Sequence, residues 1–461
     1  MALNIVIMAA GKGTRMKSAL PKVLHKLAGR SLLQHVLDCT EPLAASQRVV
    51  ITGHGAAQVE SAVADSGARF VRQEPQLGTG HAIQQTVPVL PDSGSTLILN
   101  GDVPLIRTET ARRLAEACAG EALVLLTIDL ADPSGYGRIV RAGGQPDGAV
   151  LAIVEHKDAS PEQRAIREGY TGMMAAPTAL LKRWVMALSN NNAQGEYYLT
   201  DIVAMAVAEG VPVLGVKAPQ ETEVLGVNSP LQLADLERRY QRQQAEALME
   251  AGVRLADPSR LDVRGELRCG QDVEIDVNCL FEGRVTLGDG VRIGANCVIR
   301  NASIAAGARI HEFTHIDGES AGASVGEGAL VGPFARLRPG AQLGAEVHIG
   351  NFVEVKNSTL ARGAKANHLA YLGDATVGER VNYGAGSITA NYDGANKHRT
   401  EIGNDVHVGS NCVLVAPVKL GAGATIGGGS TITKDVAEGE LSVARGKQVA
   451  ISGWQRPVKK R

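Results

Sequence analysis

The feature that most constrains this chain is a six-residue period that begins near residue 262 and runs through most of the second half. In its cleanest block, aliphatic residues recur at every sixth position, at Ile402, Val408, Leu414, Leu420, Ile426 and Ile432. Such a period matches neither a helix nor a plain strand. It is typical of a β-helix whose short sides each point one aliphatic side chain inward. The 54 glycines and 3% aromatic residues favour such a turn-rich, aliphatic architecture. We therefore predict stacked coils about 4.8 Å apart.

The period fails in two places, roughly 361–372 and 384–400. We expect both segments to be loops expelled from the solenoid, because a regular coil does not need them. Expelled loops are natural homes for function. The first segment contains His368 and Tyr371, and the second contains Asn391 and Tyr392.

The first half of the chain instead alternates apolar strand-like runs with helical segments. Strands are expected at 5–8, 49–52, 96–99 and 123–128, and a helix at 108–119. This alternation predicts an α/β, Rossmann-like domain with a doubly wound, largely parallel sheet.

A chain of 461 residues is too long for one core, since single cores stop growing at roughly 250–300 residues. Ser229, Pro230 and Gln232 form the start signal of a helix, and Gly252 suits its end. We predict an α/β domain over 1–228, a linker helix over 229–252 and a β-helix domain over 253–461.

Composition and the N-terminus exclude several classes of function. With 47 basic and 48 acidic residues, nothing indicates nucleic acid as a partner. No apolar stretch is long enough to span a membrane, and the N-terminus does not resemble a signal peptide. The six cysteines form no C-x-x-C pair, so we expect reduced, structural thiols in a cytoplasmic protein.

A glycine-rich string follows the first predicted strand, with Gly11, Gly13, Thr14 and Arg15 ahead of Lys22. Backbone N–H groups in such a loop approach phosphate oxygens closely. The string is neither G-x-G-x-x-G nor a P-loop. It resembles the sugar-nucleotide pyrophosphorylases, in which Arg15 and Lys22 are the expected catalytic cations.

Further strings at 76–82, 135–139, 153–158, 190–201 and 226–228 extend the resemblance over the whole chain. They resemble bifunctional N-acetylglucosamine-1-phosphate uridyltransferase/glucosamine-1-phosphate acetyltransferases, which supply UDP-N-acetylglucosamine for peptidoglycan and lipopolysaccharide. The resemblance implies a set of residues for UDP-N-acetylglucosamine, namely Ala9, Ala10, Gly11, Lys22, Gln73, Gly78, Thr79, Asn100, Gly101, Asp102, Gly137, Glu155, Tyr170 and Asn228.

The resemblance also implies Mg²⁺ held by Asp102 and Asn228. Asp102 follows a predicted strand, where open α/β sheets bind ligands, and carboxylate oxygen suits a hard cation. The family usually has Asn in an N-T-G string where this chain has Tyr170. Tyr170 is therefore either a sugar contact or a packing residue.

In the second half, acetyl transfer needs a base to take a proton from an amine, and histidine is the usual choice. The resemblance selects His368. Arg338 and Lys356 are 18 residues apart, one full coil, so they should stack and attract an anion such as the phosphate of glucosamine-1-phosphate. The resemblance adds Tyr371 and Asn382 for this sugar. For acetyl-coenzyme A it implies Ala385, Asn391, Tyr392, Ser410, Gly428 and Arg445.

The resemblance further implies a left-handed β-helix and a homotrimer with acetyl sites shared between subunits. The residues assigned to one acetyl site are too scattered for a single groove, which agrees with sharing. Two alternatives stay open at this point. One is a single-activity nucleotidyltransferase whose β-helix only assembles the protein, and the other is a non-catalytic scaffold of the same architecture.

Overall fold

The computed structural model describes residues 2–145, 148–192 and 194–459. The chain divides between Tyr240 and Gln241 into two compact units, which are described in turn.

The first unit is an α/β domain. Its main strands are β1 (Leu3–Met8), β2 (Gln47–Thr52), β3 (Arg69–Arg72), β4 (Ser95–Asn100), β5 (Leu123–Asp129), β6 (Gly137–Arg141), β7 (Val150–Val154), β8 (Glu168–Pro177) and β9 (Val213–Lys217). Its helices are α1 (Leu32–Thr40), α2 (Ala56–Ala62), α3 (Thr79–Gln84), α4 (Thr108–Cys118), α5 (Pro161–Arg164), α6 (Thr178–Ala187) and α7 (Ile202–Ala208). A small hairpin pairs Lys26–Leu27 with Arg30–Ser31.

The nine-stranded sheet has the central order β9-β5-β8-β4-β1-β2-β3, and β6 joins β8 to β7. β1 pairs in parallel with both β2 and β4, as the strand–helix alternation predicts. β8 is the exception, because it runs antiparallel between β4 and β5. Met8 and Asn100 are register partners, so the loops after β1 and β4 leave the sheet side by side. This places the glycine-rich string next to Asp102.

Helix α8 (Pro230–Glu250) contains the boundary between the units. It begins as predicted, since Ser229 Oγ accepts a hydrogen bond from the Gln232 backbone N–H at 3.3 Å. Leu236 packs in a core cluster of the first unit, whereas Ala245 belongs to the core of the second. No helix among the described residues is both long and apolar enough to cross a membrane.

The second unit is a parallel β-helix with three faces, and its strands pair in register from coil to coil. Face A contains Arg254–Leu255, Glu274–Ile275, Arg292–Ile293, Arg309–Ile310, Leu330–Val331, His348–Asn351, Lys365–His368, Asn382–Tyr383, His407–Val408, Thr425–Ile426 and Leu441–Ser442. Face B contains His315–Asp317, Arg336–Leu337, Glu354–Lys356, Tyr371–Gly373, Ile388–Ala390, Val413–Val415 and Thr431–Ile432. Face C contains Ala323–Val325, Gln342–Leu343, Thr359–Leu360, Ala375–Val377, Thr400–Ile402 and Val418–Leu420. Three longer strands, Leu261–Cys269, Cys279–Leu287 and Val298–Ile304, lead into faces B and C.

The predicted inward positions form the core. Ile293, Leu337, Ile349 and their counterparts in other coils are almost completely buried. All six cysteines are free, and five of them are buried. Burial raises the pKa of the Cys279 thiol to about 11 and that of Cys297 to about 12, so both stay protonated and inert. The interpretation of these cysteines as small hydrophobic residues is confirmed.

The expectation that 361–372 is an expelled loop is wrong. Lys365–His368 and Tyr371–Gly373 are regular strands of faces A and B. Ala366 fills the inward position, and it pairs with Ile349 only 17 residues earlier. An alanine at an aliphatic position and a shortened coil together hid the period.

The second expected loop is confirmed in a narrower form. Tyr383 pairs with Val408, 25 residues later, so this coil carries extra residues. They lie between the strands Ile388–Ala390 and Thr400–Ile402. We call residues 391–399 the coil loop.

Candidate active sites

The glycine-rich string forms one wall of a cavity of about 300 Å³ in the first unit. Gly13 has a left-handed backbone (φ 59°), and a Cβ there would lie 2.7 Å from Lys22 Cβ. Glycine at this position therefore lets the Lys22 stem pass close to the loop. Nine predicted residues line this cavity together, namely Ala9, Ala10, Gly11, Lys22, Gln73, Gly78, Thr79, Asn100 and Asp102.

Arg15 and Gly101 are among the predicted residues that lie outside that lining. Arg15 is exposed on the single helical turn Thr14–Met16. Gly101 is buried against β1, where a Cβ would lie 3.2 Å from Met8 O and 3.3 Å from Ala9 Cβ. Gly101 therefore acts through backbone packing, and Arg15 does not line the cavity that Lys22 lines.

Lys22, Asp102 and Asn228 meet at the edge of this cavity. The Lys22 ammonium forms an ion pair with Asp102 and donates a hydrogen bond to Asn228 Oδ1 at 3.1 Å. The Val227 N–H donates to Asp102 O at 2.9 Å, which fixes the two chain segments together. A positive charge thus already sits between a carboxylate and an amide oxygen. The same hard oxygen donors fit a divalent cation.

A second cavity, of about 830 Å³, shares Met8, Thr79, Asn100 and Glu196 with the first. Gly137 and Glu155 line it, as predicted. A Cβ on Gly137 would lie 2.8 Å from Ile153 Cγ2, so this strand position requires glycine. Burial, with smaller contributions from Asp158 and Asp201, raises the pKa of the Glu155 carboxyl. Glu155 is therefore poised to exchange hydrogen bonds with a neutral polar ligand.

The position of Tyr170 is compatible with both alternatives left open by the sequence. Its ring belongs to a buried core cluster, and it also lines the 830 Å³ cavity directly across the register from Gly137. Its hydroxyl is buried without a hydrogen-bond partner among the described residues. Burial, and to a lesser degree Glu155, raises the pKa of this hydroxyl, so it stays protonated. It is an unsatisfied donor in the cavity wall.

Sequence reasoning missed two residues of this region, Glu196 and Tyr198. Glu196 lines both cavities and Tyr198 lines the larger one. Both lie in the string 190–201, which carried part of the resemblance. The resemblance of this string indicated a functional segment, but a sequence alone does not show which of its side chains line a cavity.

In the second unit, Arg338 and Lys356 stack at the ends of successive face B strands, as their spacing predicts. The Arg338 N–H donates to Val355 O at 2.8 Å, one coil on. Glu354 tempers their repulsion, because Arg338 Nη1 lies 3.0 Å from Glu354 Oε1. Lys356 forms no ion pair with a carboxylate within the described part of the chain, and the Lys397 ammonium, followed by burial, lowers its pKa.

Lys397 is a third cation of this cluster, and sequence reasoning did not assign it. It comes from the coil loop, which Asp374 ties to the solenoid. The Asp374 carboxylate accepts hydrogen bonds from Asn357 Nδ2 at 2.5 Å and from Asn391 Nδ2. The Thr400 N–H donates to Asp374 O at 3.2 Å. Both ends of the coil loop are therefore anchored at one buried residue, next to the Arg338–Lys356 pair.

His368 ends its face A strand at the corner between faces A and B. Its Nδ1 lies 2.8 Å from Asn351 Oδ1, one coil earlier. With a carbonyl oxygen as partner, Nδ1 carries the proton and Nε2 keeps its lone pair. The exposed ring is thus set up as a base, and Asn351 is a supporting residue that sequence reasoning missed.

The other predicted acetyl-site residues lie at several separate places on the solenoid. Tyr371 begins a face B strand, whereas Asn382 begins a face A strand and lies 3.1 Å from His407 Nδ1. Ala385, Ser410 and Gly428 follow one another on successive coils, and Arg445 Nη1 donates to Gly428 O at 2.6 Å. Asn391 and Tyr392 lie on the coil loop, beyond face B. One copy of the chain therefore spreads these residues around its solenoid.

Comparisons with known proteins agree with this division. The model of MobA-like NTP transferase domains matches residues 5–188. The bacterial transferase hexapeptide model matches six repeats within 268–301, 322–357 and 399–434. Curated proteins named bifunctional protein GlmU match over the full length. The protein of Methylibium petroleiphilum is 76% identical over 100% of both chains. That of Polaromonas naphthalenivorans is 71% identical over 99% of this chain and 98% of its own.

A relative further away, from Aromatoleum aromaticum, is still 57% identical over 100% of this chain and 99% of its own. Identity of this extent covers both units, with the glycine-rich string in one and the hexapeptide coils in the other. The chain therefore belongs to the GlmU family of bifunctional transferases, whose uridyltransferase and acetyltransferase activities together make UDP-N-acetylglucosamine.

Proposed function

We propose which residues carry the two reactions that family membership assigns to this chain. Membership removes the single-activity and scaffold alternatives, and it implies a divalent metal requirement. The observation that carries the proposal is that the two sets of assigned residues lie in different units of the chain. The residues assigned to uridyl transfer lie in the first unit, and those assigned to acetyl transfer lie in the second.

For uridyl transfer, the 300 Å³ cavity takes the nucleotide and the 830 Å³ cavity takes the sugar. A phosphate oxygen of N-acetylglucosamine-1-phosphate attacks the α-phosphorus of UTP, the α–β bond breaks, and pyrophosphate leaves. Several negative charges meet in this step, so the chain must supply cations and position. Lys22 and the backbone N–H groups of 10–13 serve this purpose, and Arg15 is close enough in sequence to join when substrate fills the site.

We assign Mg²⁺ as the divalent cation, held by Asp102 and Asn228. The two oxygens that now hold the Lys22 ammonium are ligands that Mg²⁺ accepts alongside phosphate oxygens and water. When bound, the cation neutralises phosphate charge. Lys22, whose ammonium lies beside these two oxygens, would contact a phosphate oxygen.

On the sugar side, Gly137, Glu155 and Tyr170 surround the amino sugar. Their cavity wall mixes apolar and polar surface, and the buried Tyr170 hydroxyl has no hydrogen-bond partner among the described residues. A sugar with hydroxyl and amide groups satisfies such atoms, whereas an apolar ligand does not.

For acetyl transfer, the amine of glucosamine-1-phosphate attacks the thioester carbonyl of acetyl-coenzyme A, and the coenzyme A thiolate leaves. His368 Nε2 takes the amine proton. Arg338, Lys356 and Lys397 bind the sugar phosphate, and Tyr371 and Asn382 hold the ring. Ala385, Ser410, Gly428 and Arg445, with Asn391 and Tyr392 of the coil loop, bind acetyl-coenzyme A.

The acetyl site is completed in a homotrimer. Asn382 lies on face A, but Arg338, Lys356 and Tyr371 lie on face B. A cyclic assembly that sets face A of one copy against face B of the next brings both groups to one cleft. We place the enzyme in the cytoplasm, because its six cysteines are free and its cosubstrates are cytoplasmic metabolites.

The proposal is tested on the full chain by assaying both reactions on one preparation. Lys22→Met should abolish pyrophosphate release from UTP and leave acetyl transfer unchanged. The double variant Arg338→Met/Lys356→Met should do the reverse. If either variant, folded by circular dichroism, lost both activities equally, the assignment of residues to separate sites would be wrong.

A further inference from the structure

Arg138, on β6, is among the largest side chains that the first unit buries, with 1% of its surface exposed. A guanidinium stays protonated in proteins, so this unit holds a full positive charge in its interior. Within the described part of the chain its hydrogen-bond acceptors are three backbone carbonyls and one histidine ring, and none is a carboxylate. Burying a charge without a counterion costs free energy, so a residue that merely filled this space would be better apolar.

The Arg138 guanidinium joins two chain segments that form walls of the 830 Å³ cavity. Its Nη1 donates to Pro133 O at 2.7 Å and also to Tyr136 O, in the turn that leads into β6. Its Nη2 lies 3.1 Å from His156 Nδ1, in the segment after β7. Residues 135–137 of the first segment and 155–158 of the second line the cavity, whereas the arginine itself does not. Arg138 therefore acts on this cavity from behind its wall.

Arg138 also decides which hydrogen bonds the His156 ring can make. A guanidinium has donors and no acceptor, so His156 Nδ1 must accept from it through its lone pair. A neutral imidazole carries one proton, which then lies on Nε2. Nε2 has no hydrogen-bond partner within the described part of the chain, and His156 lines the cavity. The ring therefore offers the cavity an N–H donor in a fixed orientation.

We propose that Arg138 is a positioning residue for uridyl transfer, which holds His156 so that its Nε2–H donates to an uncharged oxygen of N-acetylglucosamine-1-phosphate. The inference rests on the proposed assignment of this cavity to the sugar. The buried Tyr170 hydroxyl is a second donor in the same wall. Two donors on different segments bind two oxygens of one sugar, and they select against a ligand that lacks either oxygen.

The first test measures both KM values of uridyl transfer in the full chain. His156→Ala removes the donor, so the KM for N-acetylglucosamine-1-phosphate should rise by about 2–10-fold, the worth of one neutral hydrogen bond. The turnover number, the KM for UTP and acetyl transfer should stay unchanged, because only ground-state binding of the sugar is lost. His156→Gln should stay close to the wild type, since a side-chain amide can accept from Arg138 and donate to the sugar. A normal sugar KM in His156→Ala would overturn the inference.

The second test separates positioning from a purely structural role. Arg138→Lys keeps the buried charge but loses the planar fork that reaches both segments, so it should raise the same KM. Because Arg138 acts through His156, this effect should be smaller in the His156→Ala protein than in the wild type. Additive effects would refute the positioning role, and the His156 variants decide the donor role even where Arg138→Lys does not fold. Arg141→Lys is the matched control on the same strand, because Arg141 binds Glu168, lines neither cavity and should leave this KM unchanged.

Glu155→Ala separates this inference from the assignment of the cavity itself, because Glu155 lines the same cavity next to His156. We expect both Glu155→Ala and His156→Ala to raise the KM for the sugar. If Glu155→Ala raises it and His156→Ala does not, the cavity holds the sugar without a contact to His156, and this inference alone fails. If neither variant raises it, the sugar binds elsewhere and the proposed function of this cavity fails as well.

Discussion

The two units build their sites in opposite ways. In the first unit, parallel strands send their carboxyl ends to one edge, so Lys22, Asp102 and Asn228 meet within a single chain. In the second, a solenoid turns each successive strand to a different face. Tyr371 and Asn382 therefore diverge although they are close in sequence. A sheet edge gathers residues, whereas a solenoid distributes them and needs an anchored loop or a second copy to gather them again.

The largest effect is expected from Asp102→Ala, which tests whether the site of the first unit works independently of the site of the second. The variant removes the carboxylate that pairs with the Lys22 ammonium, which also bonds Asn228. Uridyl transfer should fall by about 10³-fold or more, since charge stabilisation and cation binding are lost together. Acetyl transfer should stay within about twofold, because additivity holds for distant, independent sites. Steady-state assays of both reactions measure this, and Asp92→Ala, at an exposed carboxylate paired with Lys182, is the control.

Parallel losses in both assays of folded Asp102→Ala would contradict the idea of two self-contained sites. Binding of Mn²⁺ followed by calorimetry gives a readout that is independent of turnover. It should weaken in Asp102→Ala and remain in the Asp92 control.

The next largest effect is expected from His368→Ala. Loss of the base should lower acetyl-transfer turnover by about 10²–10⁴-fold, with uridyl transfer unchanged. Activity should recover partly at high pH, where more of the amine is free. Asn351→Ala keeps the ring but removes the partner of Nδ1, so it should cost less than His368→Ala. Normal turnover in His368→Ala would move the base role elsewhere.

The sequence predicts the site of the first unit better than it predicts the site of the second. In the first unit, nine residues predicted from the glycine-rich string and its companions line one cavity, because short strings at strand ends fix position. The antiparallel course of β8 was not predictable, since an apolar run carries no direction. In the second unit, the period predicted the coils but failed at Ala366, where a small residue and a shortened coil hid it.

Contacts between loops and coils were beyond the sequence altogether. Neither the Glu354–Arg338 ion pair nor the approach of Lys397 to Lys356 follows from spacing. The first joins two successive coils, whereas the second depends on how Asp374 holds the coil loop, and a single buried carboxylate leaves no periodic trace in the sequence.

A smaller effect is expected from Lys397→Ala, which tests whether the coil loop contributes to binding of the sugar phosphate. Loss of one charge-assisted contact to the sugar phosphate costs roughly 1.5–3 kcal/mol, or a rise of about 10–150-fold in KM for glucosamine-1-phosphate. The turnover number and the KM for UTP should change little. Lys419→Ala, at an exposed lysine paired with Glu401, is the matched control. An unchanged KM in Lys397→Ala would remove Lys397 from the anion site.

The smallest effect concerns Tyr170, where the KM of one variant separates the two readings of the sequence. Tyr170→Phe deletes a buried hydroxyl that has no partner within the described chain. An unsatisfied buried group costs about 1–3 kcal/mol, so the substrate-free variant should be more stable in denaturant unfolding. If the hydroxyl donates to the sugar, the same variant should raise the KM for N-acetylglucosamine-1-phosphate by about 2–10-fold, the worth of one neutral hydrogen bond. Tyr136→Phe, at another tyrosine of the cavity wall, controls for loss of a phenol in general. Higher stability with an unchanged KM would make Tyr170 a packing residue, and the sugar would then be held by Gly137 and Glu155 without it.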